Sequence, residues 1–420
     1  MKKKICAIFF MMSILWVCCF SSAVKAKGVD GAEIEQLIVE TMQKEQIPGV
    51  SVIVVNQGES DYYNYGYIKT DKKEMISEDT LFELGSISKS FTALGILFLE
   101  QKGYLSLDDN IQDFLPWFFM NYKDASSQIV EAELTISNFL YHTSGVPDYT
   151  LGEIPAGETA DMLEKTVRNL TDVELEFKPG TNYAYSSINY DVLALVIQEA
   201  TGKAYEDFME ENIIRPLGFQ DTYLFREEEI NDRIAAGHKV AMFMPREYEA
   251  PVYRGNTAAG YIISSTRDME RWMRLQLGLI DVGEPWNQLI KRSHEGDTSV
   301  PAHGQFYYAG GWQVHFQGNS IAHGGTNPNY SAMMIMKPES AIGVCVLTNI
   351  NSGGAEYLAE NILNIIYEEP VYQYKSSGYE NLDTIFSLIF ILGIAVSLLY
   401  LFMIIRTVGE IKSGKRKGNT

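Results

Sequence analysis

One segment near the C-terminus limits most strongly how this chain can fold. The 22 residues from Thr384 to Ile405, TIFSLIFILGIAVSLLYLFMII, contain no charged side chain. A helix of this length, rising ~1.5 Å per residue, covers the ~30 Å hydrocarbon core of a membrane. Buried helices of soluble proteins rarely stay apolar on every face for so long. The segment therefore predicts one transmembrane helix at residues 384–405.

The charges that flank this helix predict its orientation. Five basic residues follow Ile405, so the positive-inside rule places the tail at 406–420 in the cytoplasm and the bulk of the chain outside the cell. The N-terminus, MKKKICAIFFMMSILWVCCFSSAVKA, has the pattern of a signal peptide cut after Ala26. A retained N-terminal anchor is the alternative. The predicted organisation is a signal peptide at 1–26, an exported domain at 27–367, a linker at 368–383, the membrane helix and the tail.

The exported part is strongly acidic. Between Lys27 and Asp383 the chain has 25 basic and 53 acidic residues, a formal charge near −28. This charge argues against nucleic acid as a partner, because phosphate binding needs a basic surface. The single cysteine of this part, Cys345, lies in the apolar run IGVCVL. It is predicted to be a core residue and not a disulfide partner or a reactive thiol.

Periodicity predicts strands at both ends of the exported domain and helices between them. A helical pattern at Ala32–Gln46 precedes a hairpin, GVSVIVVNQGESDYYNYGYI, and residues 86–278 are mostly helical in pattern. Strand patterns return in QFYYAGGWQVHFQ, YSAMMIMK and AIGVCVLTN, before a last helix at about 355–367. The predicted fold class is α+β, with one antiparallel sheet built from both ends, flanking helices and an inserted helical subdomain.

The stretch FELGSISKSF carries the first chemical signal. Ser86 and Lys89 are three residues apart at the predicted start of a helix, a spacing that puts both side chains on one face. A desolvated lysine has a lowered pKa and can accept the proton of a serine nucleophile. The helix N-terminus also offers N–H groups to an oxyanion. The alternative is that Ser86 is an ordinary helix cap, which would leave Lys89 unexplained.

Two later stretches add candidate site residues. In YAYSSINYDV, Tyr185 is a possible acid or base and Ser187 a possible hydrogen-bonding group. In IAHGGTNPNY, His323 precedes Gly324 and Gly325, and paired glycines let a backbone approach a ligand closely. Taken alone, each of these is more often an ordinary loop or turn residue.

Together the three stretches resemble the serine β-lactamase and penicillin-binding-protein superfamily, most closely its class C-like branch of β-lactamases, D,D-peptidases and esterases. The resemblance covers residues 33–367, with LTISNFLYHTSGVPDY and NTAAGYIISSTRDMERW as further similar segments. It implies that Ser86 is the nucleophile, Lys89 its partner and Tyr185 an acid or base. In the first of those segments, His142 is predicted to be structural.

The resemblance also implies roles for the residues after Tyr185. His323 stands where β-lactamases have lysine, with a cationic or hydrogen-bonding role beside the substrate, and Ser187 stands where the family usually has asparagine. Both departures weaken the case for an efficient β-lactamase. The backbone N–H groups of Ser86 and Thr326 match the family's oxyanion hole, next to Gly324 and Gly325.

The function implied is acyl transfer in two steps by a membrane-anchored extracellular serine hydrolase. Its substrate would be a peptide, amide or ester, with cell-wall peptides that contain D-amino acids as the expected class. Spacing leaves open whether Lys89 or a Tyr185 phenolate is the base. The alternatives are a β-lactamase, or a sensor that is acylated by penicillin or wall peptide without turnover. No G-x-S-x-G or H-E-x-x-H motif is present, so we expect neither an α/β-hydrolase nor a metal or other cofactor, and the oligomeric state stays open.

Overall fold

The computed structural model describes residues 31–69, 73–373 and 378–414, so the predicted signal peptide at 1–26 lies outside the described residues. The described helices are α1 Gly31–Glu45, α2 Ser88–Gln101, α3 Ile136–Leu140, α4 Met162–Arg168, α5 Asn189–Thr201, α6 Tyr205–Met209, α7 Thr266–Gln276, α8 Glu284–Ser293, α9 Gly354–Ile366 and α10 Gly378–Lys412. The described strands are β1 Gly49–Asn56, β2 Glu59–Lys69, β3 Glu74–Met75, β4 Leu81–Glu83, β5 Asn121–Lys123, β6 Ile129–Glu131, β7 Glu174–Leu175, β8 Thr222–Tyr223, β9 His238–Ala241, β10 Met244–Glu247, β11 Ile263–Ser265, β12 Phe306–Tyr308, β13 Gln313–His315, β14 Ser320–Asn327, β15 Tyr330–Lys337 and β16 Ile342–Thr348.

The main sheet joins the two ends of the predicted exported domain. Within the described residues it has eight strands in the order β12-β13-β14-β15-β16-β1-β2-β3. Neighbouring strands are antiparallel, and β1 pairs directly with β16, with Ile53 opposite Cys345. This pairing confirms the predicted α+β fold with one antiparallel sheet built from both ends of the domain.

Both faces of the sheet are covered by helices. Val52 and Val54 of β1 pack with α1 and α9 on one face. Ile53, between them, points to the other face and packs in the cluster that contains Trp272 of α7. This alternation follows from the two-residue period of a strand, and it explains why β1 and β16 are apolar at nearly every position. Cys345 is fully buried, and burial raises the pKa of its thiol, so the core prediction is confirmed.

The middle of the chain is less helical than predicted. It contains three small sheets: β4-β11-β8, β6-β5-β7 and the hairpin β9-β10. Each of these strands has only two to four residues. A strand this short spans at most two periods of alternation, so its pattern cannot be separated from that of a loop.

The C-terminal helix α10 is longer than the predicted membrane segment. It begins at Gly378, inside the predicted linker, and its apolar part covers Thr384–Lys412. Side chains such as Leu388, Phe390 and Leu392 are more than half exposed. Among the described residues, this is the one helix that is long and apolar enough to cross a membrane.

Candidate active site

Ser86 lies in a 3₁₀ turn, Gly85–Ile87, between β4 and α2. The residue at the N-cap of α2 is Ile87, and no side chain caps that end of the helix. The interpretation of Ser86 as a helix cap is therefore wrong. Its Oγ instead accepts hydrogen bonds from the side chains of Lys89 and Tyr185.

Two glycines allow this turn to contact β14. Gly85 has φ +54°, and a Cβ atom added to it would lie 2.4 Å from the backbone nitrogen of Thr326. A Cβ atom added to Gly325 would lie 2.0 Å from the carbonyl oxygen of Leu84. Any side chain at either position would separate the two segments. The contact brings the N–H of Thr326 beside the segment that carries Ser86, as the predicted oxyanion hole requires.

Lys89, in the first turn of α2, is fully buried and has three hydrogen-bond partners. Its amine donates to Ser86 Oγ at 3.0 Å, to Ser187 Oγ at 2.9 Å and to the carbonyl oxygen of Ala259 at 2.7 Å. Burial lowers the pKa of this amine to about 7, and the nearby carboxyl of Asp191 opposes part of that effect. Near neutral pH a large fraction of Lys89 is therefore uncharged and able to accept a proton.

Tyr185 approaches Ser86 from the segment that precedes α5. Its phenolic O–H donates to Ser86 Oγ at 2.8 Å. Burial raises the pKa of this phenol, so it stays protonated near neutral pH. The ring packs on His142, with 4.3 Å between ring centroids, and His142 Nδ1 accepts a hydrogen bond from the backbone N–H of Ser186 at 3.2 Å. These contacts agree with the structural role predicted for His142.

His323 lies on β14 with both ring nitrogens engaged. Its Nε2 is 3.0 Å from the hydroxyl of Tyr308, and its Nδ1 is 2.6 Å from the carbonyl oxygen of Gly324. The carbonyl can only accept, so Nδ1 carries the proton and Nε2 accepts from Tyr308. Burial, and secondly the charge of Lys89, lower the pKa of His323 to about 3. Of the two roles predicted for His323, the neutral hydrogen-bonding one fits this environment and the cationic one does not.

These residues surround a cleft of about 1320 Å³. Lys89 and Ser187 lie behind its surface and reach it through hydrogen bonds to Ser86 and to each other. The other predicted site residues line the cleft: Ser86, Tyr185, His323, Gly324, Gly325 and Thr326.

Three contributors to the site were missed in the sequence. Tyr308 bonds His323, Ala259 supplies a carbonyl to Lys89, and Asp191 lies near enough to affect the pKa of that lysine. Asp191 had a usable signal, because it is an acidic residue within the apolar helix NYDVLALVIQ. The other two had none, since a backbone carbonyl and a tyrosine among many leave no pattern. In the described ranges, no group of three or more His, Cys, Asp or Glu side chains is placed to hold a metal ion.

Comparison with known proteins agrees with this geometry. Residues 34–367, which include every candidate site residue, match the Beta-lactamase family model. The chain belongs to the β-lactamase family. It is therefore a serine hydrolase of the β-lactamase superfamily, with the α+β fold described above.

Relatives within this family include penicillin-binding proteins. Protein flp of Staphylococcus aureus (strain N315) is 30% identical over 370 residues, which are 87% of this chain and 72% of that protein. Penicillin-binding protein 4* of Bacillus subtilis (strain 168) is 29% identical over 327 residues, 71% of this chain and 68% of that protein. The octameric penicillin-binding protein homologue from Pyrococcus abyssi superposes with a TM-score of 0.69 and 25% identity, covering 81% of this chain and 78% of that one.

Proposed function

We propose that this family member is a membrane-anchored extracellular hydrolase that forms an acyl-enzyme at Ser86. Its substrate would be a peptide, amide or ester that contains a D-amino acid. One observation carries the proposal: Ser86 Oγ, at the surface of the cleft, accepts hydrogen bonds from both the Lys89 amine and the Tyr185 phenol. A hydroxyl with a base and an acid in direct contact is what nucleophilic catalysis needs.

The protonation states favour Lys89 as the base over a Tyr185 phenolate. The pKa of Lys89 is lowered to about 7, whereas burial raises the pKa of Tyr185. In the proposed first step, the neutral amine takes the proton of Ser86 while Oγ bonds to the substrate carbonyl carbon. The carbonyl electrons move to its oxygen, which the N–H groups of Ser86 and Thr326 stabilise. Loss of one such donor typically costs ~10²–10³ in rate.

The protonated Tyr185 then has the role of acid. The tetrahedral intermediate collapses, the bond to the leaving group breaks, and the leaving atom takes the phenolic proton. The Lys89 ammonium returns a proton to Tyr185, so both groups regain their starting states. Water then attacks the acyl carbon and gives a proton to the Lys89 amine. The bond between the acyl carbon and Ser86 Oγ breaks, the Lys89 ammonium returns that proton to Oγ, and the product is a carboxylic acid.

The charges of the cleft favour a substrate without a carboxylate next to the scissile bond. His323 is neutral where β-lactamases have a lysine, and Lys239 is the one lysine or arginine among the described residues that line the cleft. The amine of Lys239 lies 3.9 Å over the Tyr248 ring, at the rim. The cleft also contains the acidic Glu356. These features count against a β-lactamase, because β-lactam antibiotics carry such a carboxylate. Among D-amino-acid peptides and esters, they favour substrates whose scissile bond is not next to a free carboxylate.

Two observations support the remaining parts of the proposal. The names of two relatives describe penicillin-binding proteins, which favours D-amino-acid wall peptides as the substrate class. The apolar helix at Thr384–Lys412, with the predicted signal peptide at 1–26, supports an exported domain held at the membrane by its C-terminal end. A penicillin or wall-peptide sensor without turnover is the second candidate, since it would need the same Ser86 acylation.

Intact-mass spectrometry of the purified full chain would test the proposal. Separate samples receive a fluorophosphonate, penicillin or a D-alanyl thioester, with Ser86→Ala as the test variant and Ser126→Ala, at an exposed turn, as the matched control. We expect a fluorophosphonate adduct on Ser86, rapid loss of the D-alanyl group, and neither in Ser86→Ala. Turnover that persists in Ser86→Ala would remove this serine from the mechanism. A stable D-alanyl adduct would favour the sensor.

A further inference from the structure

The turn of the β9–β10 hairpin exposes three adjacent apolar side chains. Met242, Phe243 and Met244 are 36%, 39% and 58% exposed. Met242 and Phe243 have φ values of +54° and +65°, in a two-residue turn where Asn, Asp and Gly are strongly preferred. Turn geometry therefore does not explain these residues, and exposed apolar residues grouped in this way indicate a contact surface.

A basic pair lies just behind this tip. Lys239 of β9 and Arg246 of β10 are directly opposite each other in the hairpin. Like charges directly opposite each other destabilise a hairpin. The Lys239 amine lies over the Tyr248 ring, which leaves the exposed Arg246 guanidinium to face an outside anion. Arg246 is two residues from Met244, which is about 7 Å along the strand. That spacing matches the depth at which interfacial segments bury apolar side chains below the phosphate groups of lipids.

The hairpin also lies beside the apolar C-terminal helix. In the structure, α10 contacts β9. Near the start of the apolar part of α10, Ser387 is only 4% exposed, whereas Phe386 and Leu388 are 66% and 56% exposed. The helix is therefore covered at Ser387, close to the end at which it would enter the outer face of a bilayer. The apolar tip is therefore near the level of that face.

We propose that the hairpin tip Met242–Met244 inserts into the outer lipid interface beside α10, with the exposed Arg246 at the lipid phosphates. This inference rests on the membrane anchoring in the proposed function. It adds an orientation, because Lys239 and Val240 of the same hairpin line the catalytic cleft. A docked hairpin turns the mouth of the cleft toward the membrane, where it meets substrates close to the bilayer surface.

Site-specific fluorescence of the full chain in proteoliposomes of phosphatidylethanolamine and phosphatidylglycerol tests this docking. An environment-sensitive dye is attached to Phe243→Cys or, as the matched control, to Ile129→Cys, which replaces a 68% exposed residue on β6. Cys6, Cys18 and Cys19 of the predicted signal peptide are replaced by serine in every sample, the native Cys345 is buried, and intact mass confirms a single label. Each sample is quenched by aqueous iodide and, separately, by nitroxide-labelled lipid.

We expect the iodide quenching constant of the label at 243 to be at least fivefold lower than that of the label at 129. The label at 243 should also be quenched by the lipid nitroxide. Adding Met242→Ser and Met244→Ser should restore iodide access without changing turnover of a soluble thioester, since both side chains lie outside the cleft. Equal iodide access at both sites would overturn the proposal. Protection from iodide without nitroxide quenching would also overturn it, because protein, such as a second copy, would then cover the tip.

Measurements on the same samples separate this inference from the proposed function. Flotation of the vesicles reports whether the chain is anchored, and hydrolysis of the soluble thioester reports whether Ser86 chemistry occurs. An anchored, active protein with a water-exposed label at 243 would contradict the docking alone.

Discussion

In the proposed mechanism, burial of the Lys89 amine determines the pH range in which Ser86 can be activated. Removal of the amine from water disfavours its charged form and lowers its pKa from 10.5 to about 7. The proposed base is the neutral amine, so protonation below that pKa removes it. The acylation rate of Ser86 should therefore rise with pH through about 7 and level off above it. A tyrosine phenolate, whose pKa is raised by burial, would instead require alkaline pH.

The pH dependence can be measured as the second-order rate of fluorophosphonate labelling between pH 5 and pH 10. Lys89→Gln should lower the plateau by about 10²–10⁴-fold, the usual contribution of a positioned base, and should remove the inflection near pH 7. An inflection that survives in Lys89→Gln would assign the titration to another group.

His323 provides a test of how the cleft selects charge. His323→Lys would place an ammonium where the neutral imidazole now bonds Tyr308. We expect kcat/KM for a carboxylate-bearing thioester to rise about tenfold relative to its methyl ester, because charges a few ångströms apart attract strongly in a partly buried site. The neutral variant His323→Gln should leave that ratio unchanged. A ratio that is equal in the wild type and both variants would show that the carboxylate binds elsewhere, with Lys239 as the next residue to test.

At the scale of elements, the critical contact is between the 3₁₀ turn at Ser86 and strand β14. Gly325→Ala would place a methyl group 2.0 Å from the Leu84 carbonyl oxygen, so the strand must move away. This movement would displace the Thr326 N–H from the oxyanion position and lower kcat by about 10²–10³-fold. Thermal unfolding should show a loss of about 1–3 kcal/mol, as for other overpacked sites.

The neighbouring Gly324→Ala is the control for this prediction. A Cβ atom there makes only ordinary contacts, the nearest with Met333 Sδ at 3.4 Å. The Gly324→Ala variant should therefore unfold at nearly the wild-type temperature. If Gly325→Ala is as stable and as active as the wild type, the close contact with β14 is not needed for catalysis.

Elements with a long, regular pattern could be predicted from the sequence, and short ones could not. The apolar runs of β1 and β16 predicted strands, and the economy of a single sheet placed both in it. The structure adds that these two strands are direct neighbours. The three-residue strands β4 and β11 flank the Ser86 turn and pair with each other, yet each is too short to show a two-residue period in the sequence. Their pairing joins segments about 180 residues apart. Local strand propensity carries no information about such a distant partner.

The same limit applies to the candidate site. The spacing of Ser86 and Lys89 is local, so the sequence showed it, and the resemblance supplied Tyr185 and His323. The contact of Lys89 with Ala259 joins residues 170 positions apart, and it depends on how α2 packs against the segment before β11. The resulting desolvation lowers the pKa of Lys89. This lowered pKa cannot be predicted from a sequence motif, because it depends on the packing.

For the whole molecule, charge and hydropathy together predict a membrane topology. An acidic domain is followed by an apolar helix that ends at Lys412. In the last turns of this helix, the side chains of Arg406 and Glu410 form an ion pair at 2.9 Å. A helix of 35 residues is about 52 Å long, which exceeds the ~30 Å hydrocarbon core. Its basic end should therefore extend beyond the membrane, on the side that the positive-inside rule assigns to the cytoplasm.

Protease treatment of intact cells that express the full chain with a tag after Thr420 tests this topology. External protease should digest the domain that carries Ser86 and leave a tagged fragment containing α10, which becomes cleavable only after lysis. The outside position is necessary for the proposed function, because wall peptides are extracellular. If the tag is digested on intact cells, or the domain is protected there, the helix has the opposite orientation or does not span the membrane. The cleft would then need a different substrate, even if the acylation of Ser86 is confirmed.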